Sequence, residues 1–134
     1  MRIIKSQPPI YTDIIAAFPE VANAENPMFT FGDTIYNPSG NEIPPYAIAH
    51  EEVHEKQQKV HGIKQWWWTY LRSPEFRLEQ ELEAYRVEYR AFCKIYKKNR
   101  KEQFKFLLYQ AKMLSSPFYG NLLSTQEAMA KIKV

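Results

Sequence analysis

The amino-acid sequence predicts an α+β fold in which a small N-terminal β-sheet packs on a helical bundle. Residues 1–44 contain six of the nine prolines and two of the four glycines, with short runs of strand-forming residues between them. After residue 44 come long stretches rich in Glu, Lys, Gln, Leu and Ala, which are typical of helices. A length of 134 residues suits one compact domain, so we expect a single domain over residues 1–134.

The composition excludes several classes of protein. Hydrophobic residues make up 45% of the chain and charged residues 25%, which is close to the average of globular proteins. The formal net charge of +3 is too small to indicate a nucleic-acid-binding protein. The lone cysteine, Cys93, cannot form an internal disulfide, and no apolar run is long enough for a signal peptide or a membrane span. We therefore expect a cytoplasmic protein without nucleic-acid or membrane partners.

Local signals define the N-terminal elements. Residues 2–5 favour a short strand, and Thr12 is a candidate N-cap for a helix that Pro19 or its neighbours would end. Residues 29–36 combine strand-forming side chains with a central Gly-Asp pair, which is typical of a hairpin turn. The N-terminal region is therefore expected to form a sheet of at most three short strands.

The C-terminal elements are all predicted to be helical. Pro44-Pro45 suits a helix start, Gly62 a helix stop, and Ser73 a further N-cap. A single helix from Ser73 to the next proline would span about 60 Å, roughly twice the width of so small a domain, so we expect a break near the charged residues 97–101. The first predicted helix opens at Pro44-Pro45 and runs to about residue 61, and the others cover about 65–71, 74–97, 101–115 and 124–131.

The motif that indicates chemistry lies in the first of these helices, where residues 50–54 read His-Glu-Glu-Val-His. His50 and His54 are four residues apart, so both imidazoles project from one face of the helix and can reach one zinc ion. Glu51 lies about 100° around the helix from His50, beside the metal, where a carboxylate can accept a proton from a metal-activated water. Glu52 and Glu55 point farther away, and we expect both to face solvent.

A catalytic zinc ion needs a third protein ligand. His61 is rejected, because in an unbroken helix it lies about 10 Å along the axis from the second histidine. The other option is a carboxylate from the helix predicted over 74–97. Hydrophobic periodicity predicts the buried stripe of that helix. The stripe consists of Leu78, Leu82, Tyr85, Tyr89, Phe92 and Tyr96.

Among the acids of that helix, Glu81 lies closest to the predicted stripe, about 60° from it. Burying a carboxylate is costly unless it is paired or binds a metal, so Glu81 is our candidate for the third ligand. Glu88 and then Glu83 are the reserves. The alternative for Glu81 is a salt bridge to Arg77, four residues earlier.

Residues 50–54 and the later Glu81-Leu82-Glu83-Ala84 resemble the gluzincin arrangement, a His-Glu-x-x-His helix followed by a glutamate ligand in a Glu-x-x-Ala context. The separation of 27 residues from His54 to Glu81 and the size of the chain are similar to minigluzincins and to small metallopeptidases inferred in phages and bacteria. The resemblance covers about residues 29–92. It implies a zincin-like fold and an activity that hydrolyses peptides. Many gluzincins have Asp after the alanine, where this chain has Tyr85.

Three further features carry weaker hypotheses. In zincins the strand before the active-site helix commonly lies along the cleft, so residues 34–36 are an edge-strand candidate for pairing with a peptide, the alternative being an interior strand. Of the three tryptophans at 66–68, one or two are expected in the core and another at the surface, where it could contact a partner. Tyr119 is a candidate for stabilising an oxyanion, against a simple packing role.

The predicted function is therefore zinc-dependent hydrolysis of a peptide or protein substrate. Zinc bound by His50, His54 and Glu81 would polarise the scissile carbonyl and acidify a water, with Glu51 as the general base. The alternative is a non-catalytic zinc-binding module with a structural or interaction role. Glu51 distinguishes the two, because a purely structural site has no use for a base beside an open coordination position.

Overall fold

The computed structural model describes all residues of the chain, 1–134, and has the α+β architecture that the sequence predicts. The strands are β1 (Arg2–Ile4), β2 (Phe29–Phe31) and β3 (Thr34–Tyr36). The helices are α1 (Tyr11–Ala17), α2 (Pro45–His61), α3 (Ile63–Arg72), α4 (Pro74–Ile95), α5 (Arg100–Leu114) and α6 (Thr125–Lys133). Two short 3₁₀ turns lie at Pro19–Asn23 and Pro117–Tyr119. None of the helices is both long enough and apolar enough to cross a membrane.

The three strands form one mixed sheet in the order β1-β3-β2. β2 and β3 make the predicted hairpin, and Gly32 supplies the positive φ of 65° in its turn. β1 runs parallel to β3 on the other side, with Ile3 opposite Ile35. Because β3 is paired on both sides, the hypothesis that residues 34–36 form a free edge is wrong, and the interior alternative is correct.

The outer edge of β2 is closed by a side chain of α2. The Gln58 amide donates to the Thr30 carbonyl at 2.7 Å and accepts from the Gly32 amide at 2.7 Å. Trp67 Nε1 also donates to the Thr30 carbonyl, at 3.0 Å. The Gln58 side-chain amide thus makes the donor and acceptor contacts that the backbone of a neighbouring strand would make, and it links the sheet to α2.

Most helix ends follow the predicted signals. Gly62 ends α2 with φ of 87°, and the Ser73 hydroxyl accepts from the Phe76 amide at the start of α4. Asn99 caps α5 in the same way, which places the predicted break between α4 and α5. The prediction for Thr12 is wrong, because α1 begins one residue earlier and has no side-chain cap.

The predicted buried stripe of α4 is rotated relative to the observed one. The residues of α4 that are buried are Arg77, Leu78, Glu81, Ala84, Glu88 and Phe92. Tyr96 is exposed, whereas Leu82, Tyr85 and Tyr89 are only half-buried. The reason is that α4 is packed on two sides, with α2 against its carboxylate-bearing face and α5 and α6 against the face of Leu78 and Leu82.

The chain has two hydrophobic clusters, and neither includes a residue of α2. The first joins α1, β2 and α3 around Trp66 and Trp67. The second joins α4, α5 and α6 around Leu107 and Leu114. Trp66 and Trp67 are buried and Trp68 is 55% exposed, so the prediction of one or two core tryptophans and another at the surface is confirmed.

Replacing Gln58 tests how much its hydrogen bonds to the edge of β2 stabilise the packing of the sheet on α2. In Gln58→Leu the Gly32 amide loses its partner and the Thr30 carbonyl keeps only Trp67, so we expect the free energy of unfolding to fall by about 2 kcal/mol. Urea denaturation measures this. Gln65→Leu, at an exposed glutamine of α3, is the control and should change stability by no more than about 0.5 kcal/mol. Equal stability of the two variants would contradict the assigned role.

Candidate metal centre

The motif residues meet on the buried face of α2. One ligand atom from each of His50, Glu51 and His54 lies within 4.8 Å of the others, so the group could hold a metal ion. All three side chains are buried, with the helix continuous on both sides of the motif. The spacing of one helical turn therefore brings the two imidazoles to one point, as the sequence predicts.

Glu81 reaches this point from α4. Its Oε1 atom lies 3.0 Å from His50 Nε2 and 3.1 Å from His54 Nε2, and the two Nε2 atoms are 3.2 Å apart. The other oxygen, Oε2, accepts a hydrogen bond of 2.5 Å from the Tyr70 hydroxyl of α3. One carboxylate oxygen thus faces both histidines while the other is fixed by a phenol.

The ring of His50 is oriented by a second carboxylate. His50 Nδ1 lies 3.3 Å from Glu88 Oε1, and the same oxygen accepts from the Gln110 side-chain amide at 3.0 Å. Because the Glu88 carboxylate accepts, Nδ1 is a donor, and Nε2 is the ring nitrogen that faces Glu81. Glu88 is therefore placed to support a ligand rather than to be one.

His54 is oriented by a neighbour on its own helix. Its Nδ1 lies 2.8 Å from Gln57 Oε1, while Gln57 Nε2 donates to the Gln80 carbonyl of α4 at 3.0 Å. The second contact fixes which end of the Gln57 amide accepts, so His54 Nδ1 is the donor. The Nε2 atoms of both histidines thereby face one point beside Glu81 Oε1, where a metal ion would displace any proton that they carry.

Glu51 lies at the side of the cluster. Its Oε1 accepts from the Thr30 hydroxyl of β2 at 3.2 Å, and its Oε2 is 3.7 Å from His50 Nε2. Burial raises the pKa of Glu51, although the two histidines oppose this. The carboxylate is thus held at one oxygen and open toward the cluster at the other.

Charges within the cluster shift one another strongly. Burial acts to raise the pKa of Glu81, but the histidines outweigh it and the pKa lies well below its usual range. Burial acts to lower the pKa of His50, but its hydrogen bonds to Glu81 and Glu88 raise the pKa well above 6.5. Burial raises the pKa of Tyr70 well above 10, and the Glu81 charge adds to this, so Tyr70 stays a hydrogen-bond donor.

A cavity of about 280 Å³ gives access to the cluster. Its polar floor contains both histidines, Glu51 and Glu81. Apolar and aromatic side chains surround this floor, namely Met28, Phe29, Trp66, Trp67, Tyr85 and Met113. The Tyr85 ring packs edge-on against His50, with ring centroids 4.8 Å apart. Tyr119 does not line this cavity and is buried in the second hydrophobic cluster.

Several sequence-predicted candidates lie outside the cluster. Glu83 is exposed on α4, and the exposed His61 packs its ring against Phe76. The salt bridge of Arg77 to Glu81 is absent, because the Arg77 guanidinium donates instead to the backbone carbonyls of Tyr70 and Phe118.

The supporting residues around the cluster were not predicted from sequence. Gln57 could have been found, since it lies three residues after His54 and therefore on the same helical face. Tyr70, Gln110 and Thr30 come from other elements, and no local pattern brings them to the motif. Their roles follow only from the tertiary fold.

Comparisons with known proteins add nothing to this geometry. The chain matches no protein-family model, no curated protein and no solved structure. Its chemistry is therefore argued from the arrangement of its own side chains.

If Glu88 orients His50, its removal should weaken metal binding without removing a ligand. We expect Glu88→Ala to bind Zn²⁺ about 10- to 100-fold more weakly than the wild type in competition with a chromophoric chelator. Glu83→Ala, at the exposed acid of the same helix, is the control and should bind as the wild type does. Circular dichroism checks that both variants fold. An affinity of Glu88→Ala equal to that of Glu83→Ala would show that Glu88 has no such role.

Proposed function

We propose that the chain is a zinc-dependent metallopeptidase of the gluzincin type, with His50, His54 and Glu81 as the metal ligands. The observation that supports this most directly is the convergence of three donor atoms at mutual distances of 3.0, 3.1 and 3.2 Å. A tetrahedral zinc ion with bonds of 2.0–2.1 Å separates its ligand atoms by about 3.3 Å. The donor atoms therefore need to move apart by only a few tenths of an ångström.

The choice of zinc follows from the donor set. Two neutral imidazoles with one carboxylate form a ligand set typical of catalytic zinc, and calcium or magnesium would prefer oxygen donors alone. Structural zinc sites are usually closed by four protein ligands. Here three ligands border a cavity, which favours a catalytic ion over the structural or interaction module that the sequence left as an alternative.

Zinc bound there would acidify a water molecule and polarise a substrate carbonyl. Glu51 would accept the proton released from the water and transfer it to the leaving amine nitrogen. The Thr30 hydroxyl holds one oxygen of Glu51, so the other is the oxygen that would exchange the proton. Glu88 and Gln57 would keep both rings in the tautomer that binds metal.

A zincin-like reading of the fold also belongs to this proposal. The sheet packs beside α2, as that fold requires, but the strand next to the cavity is β2 and not β3. The Gln58 amide donates to the Thr30 carbonyl, so an extended peptide would lie along residues 26–29, which precede this closed part of the edge and include the cavity-lining Asn26, Met28 and Phe29. Tyr85 replaces the usual Asp, and the contacts that orient the histidines come instead from Gln57 and Glu88.

The third ligand is tested by metal content. We expect the wild type, purified and saturated with Zn²⁺, to retain about one zinc per chain after gel filtration, and Glu81→Ala to retain almost none, because a two-histidine site binds weakly. Atomic absorption measures the ratio. Glu79→Ala, at an exposed acid of α4, is the control and should keep its zinc. Full retention of zinc by Glu81→Ala would exclude Glu81 as a ligand.

The catalytic role is tested at Glu51. In Glu51→Gln the amide oxygen can still accept from Thr30, but no group remains to take a proton. We expect zinc content to be unchanged and the rate of peptide cleavage to fall by about 10²- to 10⁴-fold. Mass spectrometry of an unfractionated peptide mixture provides the readout. Equal cleavage by the two proteins would refute the assignment of Glu51, and a zinc-loaded wild type that cleaves nothing would favour the non-catalytic module.

A further inference from the structure

The outer face of α5 forms a surface row that begins at the cavity. Lys101, Lys105, Tyr109 and Met113 are spaced four residues apart, so each neighbours the next, and the row turns by about 120° around the helix axis over its length. Tyr109 is 61% exposed and Met113 40% exposed, so both can be reached from the surface. Met113 also lines the cavity above the metal cluster. The row therefore leads from the cavity mouth along the surface.

The far half of this row is basic. α5 carries four basic residues and one acidic residue, Glu102. Glu102 forms a salt bridge of 3.6 Å with Lys105, but both side chains are largely exposed, so the pair is weak and open to exchange with another acid. Lys101 is exposed, and no salt bridge involves it. The row thus changes from apolar at Met113 to cationic at Lys101.

No lysine or arginine lines the cavity itself. An acidic side chain of a bound polypeptide would therefore meet lysines along the α5 row and not in the cavity. From Met113 to Lys101 the helix rises about 18 Å, the length of five or six extended residues.

From these observations we infer that the α5 row is a docking surface for a polypeptide substrate that is apolar next to the cleavage site and acidic beyond it. Met113 and Tyr109 would contact the apolar side chains, and Lys105 and Lys101 the acidic ones. The inference rests on the proposed function for its link to cleavage, but binding to the row does not need the metal. A polypeptide is favoured over an anionic lipid surface because the row begins at the cavity and turns around the helix axis, a path that an extended chain can follow and a flat membrane cannot.

The binding test uses two fluorescein-labelled peptides of twelve residues. One has two leucines followed by four aspartates, and the other has lysines in place of the aspartates. We expect metal-free and zinc-loaded wild type to bind the acidic peptide, and Lys101→Glu/Lys105→Glu to bind it about tenfold more weakly at low salt. Lys56→Glu/Lys59→Glu changes the net charge equally at exposed lysines of α2 and should bind within about twofold of the wild type.

Each outcome of this test supports or contradicts a docking surface for an acidic polypeptide on α5. Equal weakening by the two double variants, or equal binding of the two peptides, would overturn the inference, since net charge or apolar contact alone would then explain binding. Lysine-dependent binding to phosphatidylserine vesicles without binding to the acidic peptide would overturn it in favour of a lipid surface. Binding of the acidic peptide through Lys101 and Lys105 by a zinc-loaded protein that cleaves nothing would support the docking surface and refute the peptidase.

Discussion

The contact of one buried carboxylate with two buried imidazoles determines how α2 and α4 pack. Glu81, His50 and His54 are each costly to remove from water, and each is stabilised only by the others and their hydrogen-bond partners. Because the carboxylate lies on one helix and the imidazoles on the other, the helices must keep the register in which the three side chains meet. A slide of one residue would leave the carboxylate buried without its partners.

This register is held by two residues that precede Glu81 on α4. Gln80 accepts a hydrogen bond from Gln57 of α2 at its backbone carbonyl and one from Trp66 of α3 at its side chain. One turn before Glu81, the Arg77 guanidinium donates to the carbonyl of Tyr70, whose hydroxyl donates to Glu81. Three helices are therefore tied together around the point where the donor atoms converge, so the site is largely formed by the fold itself.

The features predicted from sequence are those with a local cause. The helix caps at Ser73 and Gly62, the hairpin turn and the histidine pair each depend on residues a few positions apart, and each lies where expected. The errors concern what packs against an element. β3 also pairs with β1, whose residues lie 32 positions earlier in the chain, and no pattern within the hairpin indicates that pairing.

The rotation of the α4 stripe has the same origin. Periodicity counts a carboxylate as a surface residue, so it assigned the core to Leu82, Tyr85 and Tyr89. In the structure the Glu81 and Glu88 side of α4 is the side against α2, since histidines and an amide there supply the hydrogen bonds that the carboxylates lose on leaving water. Glu81 could be predicted from the sequence because a metal site needs a buried acid as its third ligand. Hydrophobicity alone gives no reason to bury a carboxylate.

Ala84, the smallest buried residue of α4, explains how the carboxylates of Glu81 and Glu88 can both contact the His50 ring. Glu81, Ala84 and Glu88 are spaced three and four residues apart, so they form one row toward α2, with Ala84 fully buried between the acids. The methyl group of Ala84 leaves room for α2 to approach, and the His50 ring then lies between the two carboxylates with Nε2 toward Glu81 and Nδ1 toward Glu88. A larger side chain at position 84 would separate the helices, and His50 could not contact both acids at once. Glu81 faces the two Nε2 atoms, whereas Glu88 orients the His50 ring. This division of roles depends on the small size of Ala84, whose side chain has no polar group.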